Sequence, residues 1–427
     1  MGQAPRQALA PEAAALQQDY WRVRRQTQAL VAPLSVDDCN VQTMPDVSPA
    51  KWHLAHTTWF FETFLLRPHL AGYEPAHPQY EYLFNSYYEA VGERHPRPQR
   101  GQLSRPTLEE VHSYRERVDG GMQTLLCSEP SAELCRLIRL GLEHEQQHQE
   151  LILTDIKHVL GSNPLRPSYH PRPTPPGVGE APQQHWLSQP EGLYEIGHDD
   201  DGFAFDNEGP RHRQWLQAYA LASRPVTEGE WADFIADGGY ETAGLWLSDG
   251  WAWVQQHQAR APLYWFADEH AGWQRYTLAG PAPIDPARPV CHINFYEATA
   301  YAAWAGARLP SEAEWEVLAA TRPIAGDFQQ AGAYHPAALG AAHPGQGSDY
   351  FYGGVWEWTA SSYAPYPGFQ PPAGALGEYN AKFMASQLVL RGGSCASPRE
   401  HLRASYRNFF YPPQQWQFSG LRLARDD

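Results

Sequence analysis

A proline-rich stretch at residues 166–184 divides this 427-residue chain into two parts that differ in amino-acid composition and pattern. Its sequence, RPSYHPRPTPPGVGEAPQQ, holds neither a helix nor a central strand, because proline fixes φ and lacks the backbone N–H. It therefore predicts an extended linker at 166–185, between a first domain at 1–165 and a second at 186–427. The length agrees, since one hydrophobic core rarely serves so long a chain.

The first domain is predicted to be a four-helix bundle, with one long connection between the second and third helices. Ser48 is the expected N-cap of the second helix, with Pro49 at its first position. The fourth helix carries leucine and isoleucine at helical spacing. The helices are predicted over about 10–32, from Ser48 to Leu66, from Pro106 to about Gly120, and over about 131–160.

The second domain is dense in Gly, Pro and Trp, with short apolar runs between turn signals. This pattern predicts an irregular α+β domain with long loops. The whole chain is therefore expected to be an α+β protein of two domains.

Charge and hydropathy exclude several classes of partner. The chain has 32 Lys and Arg against 48 Asp and Glu, and its net charge of −16 argues against nucleic acid. No apolar run approaches the roughly 18 residues that a spanning helix needs, and no secretion signal is recognisable. Five scattered cysteines without a CxxC pair fit a reducing compartment. A cytoplasmic protein is expected, whose oligomeric state the sequence leaves open.

Histidines on two predicted helices indicate a metal site. His144 and His148 are one helical turn apart, so both imidazoles can reach one ion. With Glu145 they also match H-E-x-x-H, the zinc-peptidase pattern in which the glutamate is the general base. His53 and His56 lie on the second helix, and spacing alone does not choose between them. Imidazole suits Zn, Cu, Fe and Ni, so the ligand type leaves the metal open.

Six motifs in order resemble the formylglycine-generating-enzyme fold, a relative of C-type lectins. They are FDNEGPRH (205–212), RPVTEGEW (224–231), RLPSEAEWE (308–316), VWEWT (355–359), LRGGS (390–394) and GLR (420–422). The first domain resembles a DinB-type bundle. Joined in this way, the two domains resemble the ergothioneine-biosynthesis sulfoxide synthases over nearly the whole chain.

This resemblance implies a chemistry and a ligand set. Those enzymes use non-heme Fe(II) and O2 to couple a thiol to C2 of the imidazole of Nα-trimethylhistidine (hercynine), forming a sulfoxide. The implied iron ligands are His56, His144 and His148, so the resemblance selects His56 over His53. The H-E-x-x-H match is then incidental, and Glu145 loses the role of a general base.

The resemblance also implies substrate contacts. Arg97 and Arg100 match a pair that binds the carboxylate of the thiol substrate, and Gln147 matches a glutamine near hercynine. Asn408 matches a substrate-contacting asparagine. Relatives that use γ-glutamylcysteine have an acidic residue two positions later. This chain has Phe410 at that position, preceded by Phe409, so cysteine is expected to be favoured.

The catalytic tyrosine is expected in the first domain. One branch of the family has it before the LRGGS motif, where residues 373–378 offer none and Tyr379 lies nearby. A second branch has two adjacent tyrosines after the second helix. Tyr87 and Tyr88 match that branch and are the predicted catalytic pair.

Several other functions stay open at this point. Selenium-incorporating relatives and relatives that form 5-histidylcysteine sulfoxide share the motifs. Formylglycine generation is disfavoured, because Ser397 and Leu402 stand where its two cysteines are expected. More distant alternatives are a metal-dependent thiol transferase, a zinc peptidase and a non-catalytic lectin-like binding module.

Overall fold

The computed structural model describes residues 11–170, 180–199, 202–270, 272–340 and 349–427. The chain divides into two compact units, Met1–Val159 and Leu160–Asp427. Residues 171–179, the centre of the predicted linker, lie outside the described residues. Within the described residues, no helix combines the length and the apolar character needed to cross a membrane.

The first unit is helical, as expected for a bundle. It has four long helices, and the connection between the second and third of these contains two short helices. The helices are α1 (Pro11–Val31), α2 (Ala50–Phe61), α3 (Arg67–His69), α4 (Tyr80–Phe84), α5 (Leu108–Leu126) and α6 (Ala132–Gly161). A π-helical turn, Glu62–Leu66, extends α2.

Helix α2 is buried along its entire length. A helix with no exposed face occupies the interior of a bundle, where every side chain meets a neighbour. Its last turn is fixed by Glu62, whose carboxylate accepts hydrogen bonds from the hydroxyls of Tyr73 and Tyr114, each at 2.7 Å. The backbone of α2 therefore gives its histidines fixed positions inside the first unit.

Two helix boundaries differ from those predicted. The N-cap of α2 is Pro49 without a side-chain hydrogen bond, and the hydroxyl of Ser48 instead accepts from Arg100 at 3.0 Å. Helix α5 continues through Gly121 to Leu126. A Cβ atom at Gly121 would lie 2.8 Å from Cδ1 of Leu66, so this glycine permits close packing of two helices. The predicted start of α5 is confirmed by the capping box of Thr107.

The second unit combines short strands with short helices. The strands are β1 (Trp186–Gln189), β2 (Gly192–Ile196), β3 (His212–Leu216), β4 (Tyr219–Ala222), β5 (Trp265–Asp268), β6 (Gly272–Thr277), β7 (Gly280–Pro283), β8 (Trp356–Ser362), β9 (Leu388–Arg391), β10 (Asn408–Phe410), β11 (Ser419–Leu421) and β12 (Ala424–Asp426). The helices are α7 (Glu228–Ala236), α8 (Ser248–His257), α9 (Phe295–Trp304) and α10 (Glu312–Ala319).

The strands of the second unit form several small sheets. Four strands are ordered β10-β9-β8-β11, and β11 runs parallel to β8. Three strands are ordered β1-β4-β12, three more β5-β6-β7, and β2 pairs with β3.

Buried ion pairs connect the sequence motifs of the second unit. Arg391 of LRGGS binds Glu312 at 2.9 Å and Glu316 at 2.8 Å, both from RLPSEAEWE. Arg422 of GLR binds Glu357 of VWEWT at 2.9 Å. Removing one partner of such a pair strands a buried charge and costs roughly 3–5 kcal/mol. The charged residues of these motifs thus stabilise the core of the second unit, so the motifs indicate its fold and not its chemistry.

Candidate metal centre

Three buried histidines of the first unit converge. His56 lies on α2, and His144 and His148 lie one turn apart on α6. One ring nitrogen from each lies within 4.8 Å of the others. The structure therefore brings together the three histidines that the resemblance selects.

The ring of His56 is oriented by the backbone. Its Nδ1 lies 2.6 Å from the carbonyl oxygen of Phe84, which can only accept, so Nδ1 carries the proton and Nε2 keeps its lone pair. Nε2 of His56 is 3.2 Å from Nε2 of His144. Two nitrogens bound to one ion at about 2.1 Å, at 90–109°, are roughly 3.0–3.4 Å apart. The spacing fits two ligands of one metal.

Burial keeps the three imidazoles neutral. Desolvation lowers the pKa of His144 to about 3. Desolvation, reinforced by the neighbouring histidines, holds the pKa of His56 and of His148 well below the usual range. Neutral imidazoles offer lone pairs near neutral pH, which metal binding requires. The donor set therefore fits a divalent first-row transition metal.

His53 contacts the triad without being part of it. The residue is buried on α2, and its Nδ1 lies 2.8 Å from Nδ1 of His148. Its Nε2 lies 3.0 Å from Oδ2 of Asp155. The sequence offered a signal for this carboxylate, because Asp155 is two helical turns after His148 and so lies on the same face of α6.

Glu145 is not available as a general base. It is fully buried, and its carboxylate accepts hydrogen bonds from Arg24 at 2.8 Å and from Arg115. Burial opposes ionisation, but the two guanidinium groups outweigh it and hold the pKa of Glu145 at about 2. A general base of a peptidase must reach a metal-bound water and accept its proton. The glutamate of the H-E-x-x-H match therefore has a structural role, as the partner of two buried arginines, and not the role of a general base.

Trp52 connects the triad to a buried arginine. Its ring stacks on His56, with centroids 4.5 Å apart, and the guanidinium carbon of Arg100 lies 3.4 Å from its centroid. Arg100 is 3% exposed and donates to the hydroxyls of Ser48 and Ser86. It makes no ion pair with any described residue, and desolvation lowers its pKa, although the Asp155 carboxylate opposes that effect from a distance. This guanidinium therefore lacks the direct ion pair that buried cations usually have.

The other predicted substrate residues of the first unit are less constrained. Arg97 is exposed, and its guanidinium donates to the backbone carbonyl of Asp46. Gln147 is half-buried on α6, between the candidate ligands His144 and His148. Arg97 is the first residue of a 3-10 turn, Arg97–Gln102, that also contains Arg100.

Of the two predicted tyrosines, Tyr88 lies one aromatic ring away from His56, and Tyr87 packs on Tyr88. Trp59 stacks on His56 with centroids 5.6 Å apart, and its ring lies 5.7 Å from the ring of Tyr88. Tyr88 is fully buried and Tyr87 is half-buried. Their rings are 4.5 Å apart and their hydroxyl oxygens 3.4 Å apart. Through Tyr88, the pair is thus connected to the aromatic rings that pack around the triad.

The remaining predicted residues belong to the second unit. Asn408, Phe409 and Phe410 form β10, and the ring of Phe409 stacks on another aromatic ring at 3.9 Å. The side-chain oxygen of Asn408 accepts from the N–H of Phe409 at 2.9 Å, and the ring of Phe410 packs 5.7 Å from that of Trp416. Tyr379 is buried and stacks on an aromatic ring at 5.5 Å.

Two domain families match the chain. Residues 20–152 match the DinB superfamily, and residues 174–350 and 326–427 match the sulfatase-modifying factor enzyme 1-like domain. The fold and site therefore define the class, a DinB-type helical domain followed by a formylglycine-generating-enzyme-like domain. This confirms the predicted fold class.

Full-length relatives identify the family within that class. The chain is 33% identical to the hercynine oxygenase of Mycobacterium tuberculosis, over 95% of this chain and 97% of that protein. It is 32% identical to the hercynine oxygenase of Mycolicibacterium thermoresistibile, over 97% and 96%. Ergothioneine biosynthesis protein 1 of Schizosaccharomyces pombe is 26% identical, over 52% of this chain and 28% of that protein. The chain belongs to the hercynine oxygenase family.

Proposed function

We propose that this protein is an Fe(II)- and O2-dependent sulfoxide synthase that couples cysteine to C2 of the imidazole of hercynine. The observation that carries the proposal is the cluster of His56, His144 and His148, three buried neutral imidazoles with nitrogens within 4.8 Å of one another. Three imidazoles leave open positions on an ion, which suits a metal that must also bind substrates. Membership of the hercynine oxygenase family supplies the substrate.

The overall reaction balances with O2 as the only oxidant. A C–S bond replaces the imidazole C2–H and the thiol S–H bonds. One oxygen atom is retained on sulfur, and the other leaves as water with the two hydrogens. The bound iron would lower the pKa of the thiol and activate O2. The chain's own residues then bind and orient the two organic substrates, which contributes to catalysis through proximity.

Arg100 is the proposed anchor for the cysteine carboxylate. A buried guanidinium without an ion pair is costly, and a substrate carboxylate would form that ion pair and accept two parallel hydrogen bonds. Arg97, from the same 3-10 turn, would add a second and more exposed cation. Gln147, one residue before His148, would contact hercynine.

The preference for cysteine rests on β10 of the second unit. Asn408 is the proposed substrate contact there, and Phe410 stands where relatives that use γ-glutamylcysteine have an acidic residue. Phe409 and Phe410 could give an ammonium group a cation–π interaction of about 0.5–2 kcal/mol. A carboxylate would give about 1.5–3 kcal/mol and a defined direction. Cysteine has no glutamyl ammonium group, so it loses nothing at this position.

Tyr87 and Tyr88 are the proposed catalytic pair. A phenol beside the reacting centre can deliver a proton or hold an oxygen atom by a hydrogen bond. Tyr88, which packs against the Trp59 ring that also stacks on His56, is fixed by burial, and Tyr87 is close enough to exchange a hydrogen bond with it.

Anaerobic loading with Fe(II), followed by O2 uptake with hercynine and either thiol, tests the function. We expect O2 consumption that requires both substrates, and a product with sulfur on C2 of the imidazole by NMR. Cysteine should give the higher kcat/KM when the two thiols compete at equal concentration. A C5-linked product, or turnover only with a selenium donor, would favour the corresponding relatives. Absence of substrate-dependent O2 uptake by iron-loaded protein would refute an oxygenase.

A further inference from the structure

A chain of hydrogen bonds leads from Asp155 through His53 to the candidate ligand His148. Oδ2 of Asp155 lies 3.0 Å from Nε2 of His53, and Nδ1 of His53 lies 2.8 Å from Nδ1 of His148. The same carboxylate oxygen accepts the backbone N–H of Ser48 at 2.7 Å. All three side chains are buried. Bulk water therefore does not compete for these hydrogen bonds.

An ionised Asp155 at the end of the chain, together with a neutral His53, determines the direction of each hydrogen bond. An ionised carboxylate only accepts, so Nε2 of His53 carries a proton. A neutral His53 then has a bare Nδ1, which accepts the Nδ1–H of His148. Nε2 of His148 is left with its lone pair. The opposite arrangement, with His53 donating to Nδ1 of His148, would put a proton on the nitrogen that the metal needs.

We propose that His53 is a positioning residue that fixes the tautomer and ring angle of His148 for metal binding, with Asp155 fixing His53 in turn. The inference rests on the metal site of the proposed function. Each ligand helix would then have its own support, because His56 donates to the Phe84 carbonyl and His148 to the ring of His53. An outer partner of a metal-bound histidine is usually a carboxylate, a carbonyl or water. Here a second imidazole stands between the ligand and the carboxylate.

Metal affinity without substrates tests this role. The full-length protein would be titrated with Co(II) and Fe(II) against a competing chelator, and the visible absorption of bound Co(II) recorded. His53→Phe keeps a ring of similar size but leaves the Nδ1–H of His148 without an acceptor. We expect its affinity to fall about 10–100-fold, with a changed Co(II) spectrum. His53→Gln restores an acceptor and a donor, and should recover most of the affinity and the spectrum.

Two further variants keep the test decisive. His112→Phe on α5 removes a half-buried histidine outside the chain of hydrogen bonds and should bind metal like the unaltered protein. Asp155→Ala leaves His53 in place without its acceptor and should weaken binding about tenfold, which serves if His53→Phe does not fold. Affinities of His53→Phe and Asp155→Ala within twofold of the unaltered protein would overturn the role. So would a His53→Gln variant as weak as His53→Phe.

The positioning role of His53 and the proposed function can be refuted independently of each other. Tight metal binding that depends on His53 but supports no hercynine oxidation would leave the positioning role intact and refute the proposed function. Normal oxidation by a His53→Phe variant with unchanged metal affinity would do the reverse.

Discussion

At the scale of residues, the histidines of the first unit share one chemistry but differ in what surrounds them. Sequence spacing put His144 and His148 on one face of a helix, and the structure agrees. Spacing did not distinguish His53 from His56, because residues three apart on a fully buried helix both face the interior. Each ring lies beside a histidine of α6, and the partner of its other nitrogen separates them: the backbone carbonyl of Phe84 for His56, and the carboxylate of Asp155 for His53.

Loss of a direct ligand should cost more than loss of a supporting residue. We expect His144→Ala to lower Fe(II) affinity by more than the ~100-fold limit for an outer partner, and to abolish substrate-dependent O2 uptake. Metal content after dialysis, measured by elemental analysis, checks this, with His112→Ala as the matched control. Full iron occupancy in His144→Ala would remove this histidine from the ligand set.

The buried guanidinium of Arg100 should determine the affinity for the thiol substrate. Arg100→Gln removes the cation, and we expect the KM for cysteine to rise roughly 10–100-fold, the equivalent of a charge-assisted hydrogen bond of about 1.5–3 kcal/mol. The KM for hercynine should stay within about twofold. Arg97→Gln should have a smaller effect, because that side chain is exposed. Equal losses for both substrates would indicate a role in folding instead.

The tyrosine pair should control which product forms. Phenylalanine at the catalytic position keeps the ring and removes only the hydroxyl, so substrates should still bind while oxidation shifts toward the thiol alone. We expect cysteine sulfinate as a major product of Tyr87→Phe, Tyr88→Phe or the double variant, measured by mass spectrometry. Tyr379→Phe serves as the comparison. If it alone changes the product, the catalytic hydroxyl lies in the second unit.

At the scale of elements, one buried ionic network joins the long helices of the first unit. Arg24 of α1 binds Asp119 of α5 at 2.7 Å and Glu145 of α6 at 2.8 Å. Arg115 of α5 also binds Glu145, and Tyr20 of α1 donates to Asp119 at 2.6 Å. Helix periodicity located these elements but not the network, because charged residues in a sequence are normally assigned to the surface. Glu145 is a residue of this network, one position after a candidate ligand.

Acid should destabilise the first unit through Glu145. Its pKa is about 2 in the fold against an ordinary 4.5, so its contribution is complete above pH 4.5 and is lost as the pH falls toward 2. Glu145→Gln should lower the free energy of unfolding by roughly 3–5 kcal/mol at pH 7, since two buried arginines lose their shared partner. Urea unfolding at pH 7 and pH 3 measures both effects. Glu133→Gln, in the exposed first turn of α6, is the control and should leave both values unchanged.

At the scale of the whole molecule, the sequence predicted a helical first domain and an α+β second domain, and the family matches bear this out. The local amino-acid composition and the order of the motifs sufficed to predict both fold classes, because they reflect turn chemistry and core composition. The end of α5 was missed, since Gly121 reads as a helix terminator unless the close approach of Leu66 is known. Arg100 was predicted from the resemblance, but its burial without an ion pair depends on three-dimensional packing.

Thiol preference is a property of the second unit in this proposal, and it can be altered there. Phe410→Glu introduces the carboxylate that the motif lacks, and we expect the ratio of kcat/KM for γ-glutamylcysteine over cysteine to rise about tenfold or more. Phe410→Gln, which adds a polar group without charge, should change the ratio much less. A ratio that does not respond to either variant would assign the preference to another part of the chain.

The complete burial of α2 has a consequence for how this protein can vary. A helix at a protein surface tolerates exchange on its outer face, so acceptable substitutions recur with a period of about 3.6 residues. Helix α2 has no such face, because all twelve of its residues are buried. Substitutions tolerated along Ala50–Phe61 should therefore show no periodicity of about 3.6 residues. A stretch of uniform constraint there would reflect packing as much as chemistry, and the two histidines of α2 would not stand out within it.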